Sequence, residues 1–159
     1  MTLRRAAVRR VLTALHRLRK LVWRLRGQRP RGVLAVPLTP EGKLVLVRLT
    51  YAPGWRLPGG GVGRGEELEA AALRELREEI GMTGCGAVTP IDEFDHGPGD
   101  RGLSTLFLVR DVVYAPRRSF EIEEVGEFDP AAPPPGATPL TLAKLALARP
   151  LIDEALRGG

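Results

Sequence analysis

The sequence predicts one α/β domain, with a mixed β-sheet between helical layers and an amphipathic helix before it. Three observations predict this fold class. Short apolar segments with alternating faces recur between residues 31 and 128, separated by turn residues. Two segments with helical periodicity accompany them. The length of 159 residues, with 43% hydrophobic and 27% charged residues, fits one soluble globular domain.

The first 31 residues differ from the rest of the chain in charge. They hold 11 Lys and Arg and no acidic residue, whereas residues 32–159 hold 13 basic and 19 acidic ones. The net charges are therefore +11 and −6. Apolar residues recur here every three or four positions, which predicts a basic amphipathic helix: Val8, Val11, Leu12, Leu15, Leu18, Val22 and Leu25.

We divide the chain into this helix, residues 1–30, and a main domain, residues 31–159. Several partners are open for residues 1–27: the main domain itself, a second subunit in a homodimer, an anionic membrane surface, or RNA. No run of 18 apolar residues predicts a membrane span. The single cysteine, Cys85, excludes an internal disulfide and fits a reducing compartment. We expect a cytoplasmic protein, with the inner membrane face as an alternative peripheral location.

Three strands are predicted at the start of the main domain. The first covers Gly32–Leu38, where Pro37 indicates a sheet edge or a bulge. The second covers Lys43–Thr50, and the turn residues Thr39–Gly42 predict a hairpin between the two. A short strand within Tyr51–Arg56 then leads into a glycine-rich turn.

A helix is predicted over Glu66–Ile80, which is rich in Leu, Ala, Glu and Arg. Leu73, Leu76 and Ile80 form its apolar stripe, and Gly81 can end it in the left-handed conformation. Glu75, Glu78 and Glu79 are spaced i, i+3, i+4, so they share one helix face. Three neighbouring carboxylates repel one another, and an oxygen-rich site suits a hard divalent cation such as Mg²⁺.

The segment Gly60–Met82 resembles the Nudix box: Gly, five residues, Glu, seven residues, Arg-Glu, an apolar residue, one residue, Glu-Glu, one residue, Gly, and an apolar residue. All nine specified positions agree. The resemblance is to a small bacterial-type Nudix domain with an added N-terminal basic helix. It implies an α/β/α sandwich and a hydrolase of nucleoside diphosphates linked to another moiety.

The rest of the chain predicts four more strands and a final helix. The strands are Cys85–Glu93, a central Leu103–Val109, Val112–Tyr114 and Ser119–Val125. A proline-rich connector ends at a helix that Thr138 caps and Pro139 opens, with Pro150 expected to kink or divide it. Its expected apolar side consists of Leu140, Leu142, Leu145, Leu147 and Leu151.

Metal and proton-transfer roles follow for the box residues. Glu78 and Glu79 are the first-choice ligands of Mg²⁺, with Mn²⁺ as an alternative ion, and the resemblance implies the Gly59 carbonyl as a third ligand. Glu75 is placed to take a proton from water or to bind metal. Arg74 can hold Glu75 in position through a charge-assisted hydrogen bond.

Other residues are candidates for the substrate and for an extra carboxylate. The bare backbone at Gly60 and Gly61 can approach a phosphate. Arg56 and Tyr51 are candidates for phosphate or nucleobase contact, with packing as the alternative role of Tyr51. Some family members recruit a later Glu as base or ligand, and Glu121 or Glu124 is available here.

Substrate class follows from the resemblance only in outline. Pro98 lies sixteen residues after Met82, as in members that cleave ADP-ribose. We therefore expect Mg-dependent cleavage of an ADP-ribose or nucleotide-sugar phosphoanhydride. The alternatives are a pyrophosphohydrolase for nucleoside triphosphates or RNA 5′-triphosphates, and a catalytically silent nucleotide-binding module.

Overall fold

The computed structural model describes residues 31–95, 102–116 and 120–158. The predicted N-terminal helix and Pro98 lie outside these ranges. Within them the chain forms nine strands and two helices. The strands are β1 (Arg31–Pro37), β2 (Leu44–Leu49), β3 (Ala52–Arg56), β4 (Gly59–Gly61), β5 (Met82–Gly84), β6 (Val88–Asp95), β7 (Leu103–Val109), β8 (Val113–Tyr114) and β9 (Ile122–Phe128). The helices are α1 (Leu68–Glu79) and α2 (Pro139–Arg157).

The strands form three sheets. A four-stranded mixed sheet has the order β4-β1-β7-β6, in which β1 and β7 are parallel and the other neighbours are antiparallel. A three-stranded antiparallel sheet has the order β3-β2-β9, and β5 pairs with β8. The predicted central position of Leu103–Val109 is confirmed, since β7 pairs on both sides.

Each helix packs on its own apolar core. The α1 side contains Leu76, Ile80 and Phe107, and the α2 side contains Leu106, Leu145 and Ile152. Both four-stranded and three-stranded sheets contribute to each core, because alternate residues of a strand point to opposite faces. The predicted α/β/α sandwich with a mixed sheet is confirmed. Neither helix in the described ranges is long and apolar enough to cross a membrane.

The predicted hairpin of the first two strands is wrong. β1 and β2 belong to different sheets and are joined only by the isolated bridge Leu38–Leu44. Pro37 does not mark an edge, since β1 lies between β4 and β7. The Ala35 amide donates to the Pro58 carbonyl, and the nitrogen of residue 37 faces the same side of the strand. Because β4 pairs with β1 only as far as Leu34, the position tolerates proline, which has no amide hydrogen to donate.

The predicted strand boundaries shift in two places. The strand predicted over Cys85–Glu93 is β6, which begins later at Val88, and the final strand begins at Ile122 instead of Ser119. The short β5 lies before the predicted strand and was not predicted. β5 and β8 are three and two residues long, too short to give an alternation pattern.

The final helix has the predicted start and a different buried face. Thr138 caps it by accepting a hydrogen bond from the Thr141 amide at 3.2 Å, and Pro139 is its first residue. The helix is continuous across Pro150, so the predicted division is wrong, whereas the alternative of a kink stays a prediction. Buried Ala148 and Ile152 anchor the helix on both sides of this proline.

The predicted apolar side of this helix is also wrong in most of its members. Leu140, Leu142 and Leu147 are exposed, while the buried residues are Thr141, Leu145, Ala148 and Ile152. Thr141 is buried although it is polar, because its hydroxyl accepts from the Leu57 amide and donates to the Trp55 carbonyl, both at 3.3 Å. This hydroxyl attaches α2 to the chain that enters the glycine turn.

We therefore expect Thr141→Val to lower the free energy of unfolding by about 1–3 kcal/mol, because the buried Leu57 amide loses its acceptor while the side-chain volume is kept. Urea denaturation measures the change. Thr141→Ser retains the hydroxyl and serves as the control, with a smaller loss expected. Unchanged stability of Thr141→Val would show that these hydrogen bonds do not stabilise the junction.

Candidate functional site

The glycine-rich turn and α1 form one unit at the edge of the four-stranded sheet. β4 pairs with β1 through Gly59, Gly60 and Gly61, and α1 packs against both strands. The box helix starts at Leu68, two residues later than predicted, and Glu67 forms no side-chain cap. Gly81 has a φ of 74°, which confirms the predicted left-handed end. The short turn therefore places the glycine backbone directly beside the helix.

Gly60 is required by close approach to the helix. Its φ is ordinary, but a Cβ at this position would overlap the Glu75 carboxylate. The missing side chain is what allows Glu75 to lie against the turn. The glycine turn and the carboxylate face are thus in direct contact at this position.

Arg74 connects the turn to the carboxylates. Its guanidinium donates to Glu66 at 2.8 and 3.1 Å, to Glu75 at 2.8 Å and to the Gly61 carbonyl at 2.8 Å. Glu78 lies further away, at 3.5 Å. The Glu66 hydrogen bond is the main cause of a raised Arg74 pKa. Arg74 therefore stays charged and positions both Glu66 and Glu75.

Glu66 belongs to the framework of the turn. It accepts hydrogen bonds from Arg74 and from the Gly63 amide, the latter at 2.7 Å. These bonds, that of Arg74 first, lower the pKa of Glu66 to about 2. The carboxylate is therefore ionised at neutral pH and committed to the loop.

The pKa of Glu79 is shifted in the opposite direction to that of Glu66. The residue is half-buried, and desolvation of its carboxylate raises its pKa to about 8, with the charges of Glu75, Glu121 and Glu78 acting in the same direction. A hydrogen bond at 2.9 Å from the Gly59 amide partly offsets this rise. Glu79 is thus a carboxylate whose ionised form lacks sufficient positive charge nearby.

The structure distinguishes the two later glutamates. The negative charge of Glu121 contributes to the raised pKa of Glu79, so Glu121 lies close to the other three carboxylates. Its carbonyl accepts from the Thr50 amide at 2.9 Å, which fixes the start of β9 against the end of β2. Glu124 instead forms an ion pair with Arg48 at 3.0 Å. The cluster therefore contains Glu75, Glu78, Glu79 and Glu121.

The other predicted site residues are not all brought to this cluster. The Gly59 amide contacts Glu79, and the Gly61 carbonyl is taken by Arg74. Arg56 lies on β3 and donates to the Pro53 carbonyl at 3.1 Å, while its Nε is buried without a hydrogen-bond partner in the described part of the chain. Tyr51 is half-buried in the turn between β2 and β3.

The donor chemistry of the cluster fits a divalent cation. Four carboxylates supply hard oxygen ligands, and both burial and the neighbouring negative charges raise the pKa of Glu79. Across the described ranges, no three His, Cys, Asp or Glu side chains are already arranged around a common metal position. Because Arg74 binds Glu75 at 2.8 Å and Glu78 only at 3.5 Å, Glu78, Glu79 and Glu121 are the side chains more available to hold an ion.

Two contacts in the site were missed by the sequence analysis. The bond from the Gly59 amide to Glu79 and the bond from Arg74 to the Gly61 carbonyl both join backbone groups to side chains. Glycine-rich turns expose such backbone groups, but the sequence does not specify which carboxylate each one meets. Which carboxylate each backbone group meets depends on the register of β4 on β1.

Comparison with known proteins identifies the family of this arrangement. The family model described as the NUDIX domain matches residues 28–146. The crystal structure of a MutT NUDIX hydrolase from Burkholderia pseudomallei has a TM-score of 0.65 and 27% sequence identity, and the match covers 76% of this chain and 98% of that chain.

Curated relatives carry different activity names. An ADP-ribose pyrophosphatase of Bacillus subtilis is 39% identical over 74 residues, which are 44% of this chain and 40% of that protein. An RNA pyrophosphohydrolase of Gluconobacter oxydans is 51% identical over 43 residues, which are 26% of this chain and 25% of that protein. The chain thus spans less than half the length of these two relatives.

The raised pKa of Glu79 predicts a pH-dependent stability of the metal-free protein. Because the folded-state pKa of about 8 exceeds the ordinary value of 4.5, the folded protein retains this proton between those pH values. The stability that this proton contributes is fully present below pH 4.5 and is lost as the pH rises through 8. Between these values the free energy of unfolding falls by up to about 1.4 kcal/mol per pH unit. Glu79→Gln should remove that slope and keep the acceptor for the Gly59 amide.

Urea denaturation in chelator at pH 5, 6, 7, 8 and 9 measures this effect. The control is Glu69→Gln, an exposed position of the same helix, which should retain the pH dependence of the wild type. A wild-type slope that persists in Glu79→Gln would assign the titration to another group.

Gly60→Ala tests the close approach of the turn. The added methyl group should displace the flexible end of Glu75 and leave the fold intact, since the backbone conformation suits alanine. Any hydrolytic activity should fall by roughly 10-fold or more because the carboxylate is moved from its position. The matched control is Gly84→Ala, where the new Cβ meets open space. Equal activities of the two variants would contradict a positional role of Gly60.

Proposed function

The chain belongs to the Nudix hydrolase family, and we propose that it hydrolyses the phosphoanhydride of a nucleoside diphosphate linked to another moiety. The observation that carries this proposal is the cluster of Glu75, Glu78, Glu79 and Glu121 beside the glycine turn. A binding module that had lost catalysis would be expected to lack a box carboxylate. All nine specified box positions are also present.

Hydrolases of this family generally use divalent metal ions. We propose Mg²⁺ as the ion, with Mn²⁺ as a substitute, held by Glu78 and Glu79 with the Gly59 carbonyl and Glu121 as further ligands. The bound ion would neutralise the diphosphate and lower the pKa of a water molecule. This assignment also explains why a carboxylate with a raised pKa is retained at this position.

The proposed reaction is a displacement at one phosphorus atom. The oxygen of water forms a bond to this phosphorus, the bridging P–O bond breaks, and the second phosphate leaves with the bonding electrons. The proton of the attacking water passes to a carboxylate, Glu75 or Glu121. For ADP-ribose the products are AMP and ribose 5-phosphate.

The remaining predicted residues have supporting roles in this proposal. Arg74 keeps Glu75 in position and fixes the turn through Gly61. Gly60 and Gly61 provide a low-profile backbone against the substrate phosphates. Arg56, whose Nε lacks a partner in the described residues, is proposed to contact the phosphate, and Tyr51 the nucleobase.

The substrate class proposed first is ADP-ribose or a nucleotide sugar. It is supported by the match to the Bacillus subtilis ADP-ribose pyrophosphatase, which is longer than the match to the RNA pyrophosphohydrolase. The second candidate is a triphosphate substrate, including an RNA 5′-triphosphate. It is supported by the higher identity of that shorter match.

Removing a proposed metal ligand should remove most of the activity. We expect Glu78→Gln and Glu79→Gln each to lower kcat/KM by roughly 100-fold or more, while the protein stays folded, since a neutral amide relieves repulsion but binds Mg²⁺ poorly. Steady-state kinetics with Mg²⁺ measure the loss, and circular dichroism checks the fold. Glu69→Gln is the control on the same helix.

Wild-type turnover by both ligand variants would refute the site assignment. Full activity of the wild type in excess chelator would separately refute the need for a metal ion.

A turnover screen separates the two substrate classes. With ADP-ribose, nucleotide sugars, nucleoside triphosphates and 5′-triphosphate RNA offered in turn with Mg²⁺, we expect the highest kcat/KM for ADP-ribose, with AMP released. Product analysis by chromatography identifies the bond that is cleaved. A preference for triphosphates with release of pyrophosphate would select the second candidate.

A further inference from the structure

A groove separate from the candidate site lies between the first half of α1 and strands β6 and β7. Its volume is about 840 Å³, and none of the clustered carboxylates lines it. Leu68, Leu73 and Phe107 supply apolar lining, whereas Glu67, Glu69 and Glu93 supply negative charge. An apolar channel bordered by carboxylates suits an occupant that is both apolar and basic.

The negative charge of the groove is only partly compensated. Glu67 and Glu69 make no ion pair within the described residues. Glu93 accepts a hydrogen bond from Thr105 at 3.3 Å and lies 3.7 Å from the Arg31 guanidinium. This border would repel an anionic lipid surface or an RNA, so it favours a cationic polypeptide.

The described part of the chain begins beside this groove. Arg31 is the first residue of β1, and it reaches the groove through its contact with Glu93. Arg31 and Val33 point to the same face of the sheet, and Val33 lies in the core on the α1 side. Arg31, the first described residue, therefore lies at one end of the groove.

The dimensions also agree. The β6 border from Pro90 to Glu93 is about 10 Å long, close to the length of two turns of helix, which is about 11 Å or seven to eight residues. Residues 26–30 can span up to about 17 Å and so bridge from Arg31 to such a helix. The eight residues before this connection, 18–25, repeat the helical pattern with Leu18, Leu21, Val22 and Leu25.

We propose that residues 18–25 dock in this groove of their own chain. The stripe formed by Leu18, Leu21, Val22 and Leu25 covers the apolar lining. Arg17 and Arg24 flank one side of the stripe, where they meet the carboxylates of Glu67 and Glu69. In this docked position, positive charges of the N-terminal segment are compensated by carboxylates of the same chain.

Limited trypsin digestion of the full chain tests the electrostatic part. At low salt, cleavage after the basic residues at positions 17–26 should be slow. Glu67→Gln with Glu69→Gln should accelerate it by roughly 2- to 5-fold, because two ion pairs are lost. The matched control, Glu41→Gln with Glu154→Gln, makes the same charge change at exposed positions elsewhere and should cleave at the wild-type rate. Mass spectrometry assigns each cut.

A crosslink tests the position directly. In a Cys85→Ser background, Ala70→Cys in the groove with Leu21→Cys should form an intrachain disulfide under mild oxidation, whereas exposed Gly84→Cys with Leu21→Cys should not. Tryptic peptide mapping of the monomer detects the product.

Equal trypsin rates for the wild type and the groove variant, together with no selective crosslink, would overturn the proposal. Protection that rises with protein concentration, with the disulfide found between chains, would assign the groove to the tail of a second copy. Protection that appears only with vesicles of anionic lipid would assign the tail to a membrane surface.

Discussion

The arrangement of Arg74 is the constraint on which the candidate site depends. One guanidinium holds Glu66 before the helix, Glu75 on the helix and the Gly61 carbonyl on β4. These three groups come from the loop, the helix and the sheet edge. A planar guanidinium with five donors can satisfy all three at once, whereas a lysine ammonium offers no fixed fork. The geometry of the box thus follows from one cation at its centre.

This cation also divides the carboxylates into two electrostatic groups. Glu66, bound by Arg74, has a pKa lowered to about 2, while Glu79, desolvated and facing other carboxylates, has a pKa raised to about 8. The first group is compensated within the protein and maintains the shape of the turn. The second holds its proton at neutral pH in the metal-free protein, and a bound metal ion would favour its ionised form. The structure therefore combines a stable framework with an electrostatically incomplete site.

Local features could be predicted from the sequence better than distant ones. The spacing of Glu75 and Glu79 and the position of Gly81 depend on helix geometry alone, and the structure shows the helix and its end as expected. The separation of β1 from β2 depends on which distant strand each one pairs with. The alternation of apolar and polar residues along a strand is the same whichever strand it pairs with, so it does not identify the partner. The choice of Glu121 over Glu124 likewise depends on where β9 begins and on the contact with Arg48. Exposed Leu147 shows the same limit for α2, since leucine spacing alone does not select the buried face.

The pairing of β1 with β7 and of β2 with β9 has a consequence for synthesis on the ribosome. A nascent chain ending at residue 100 contains the whole box motif but neither of the strands, Leu103–Val109 and Ile122–Phe128, that flank the first two. Contacts this far apart in sequence form slowly, since the intervening chain must first be closed into a loop. The carboxylates thus lack this sheet support until the chain has been synthesised through residue 128, so the site is completed well after the box motif itself.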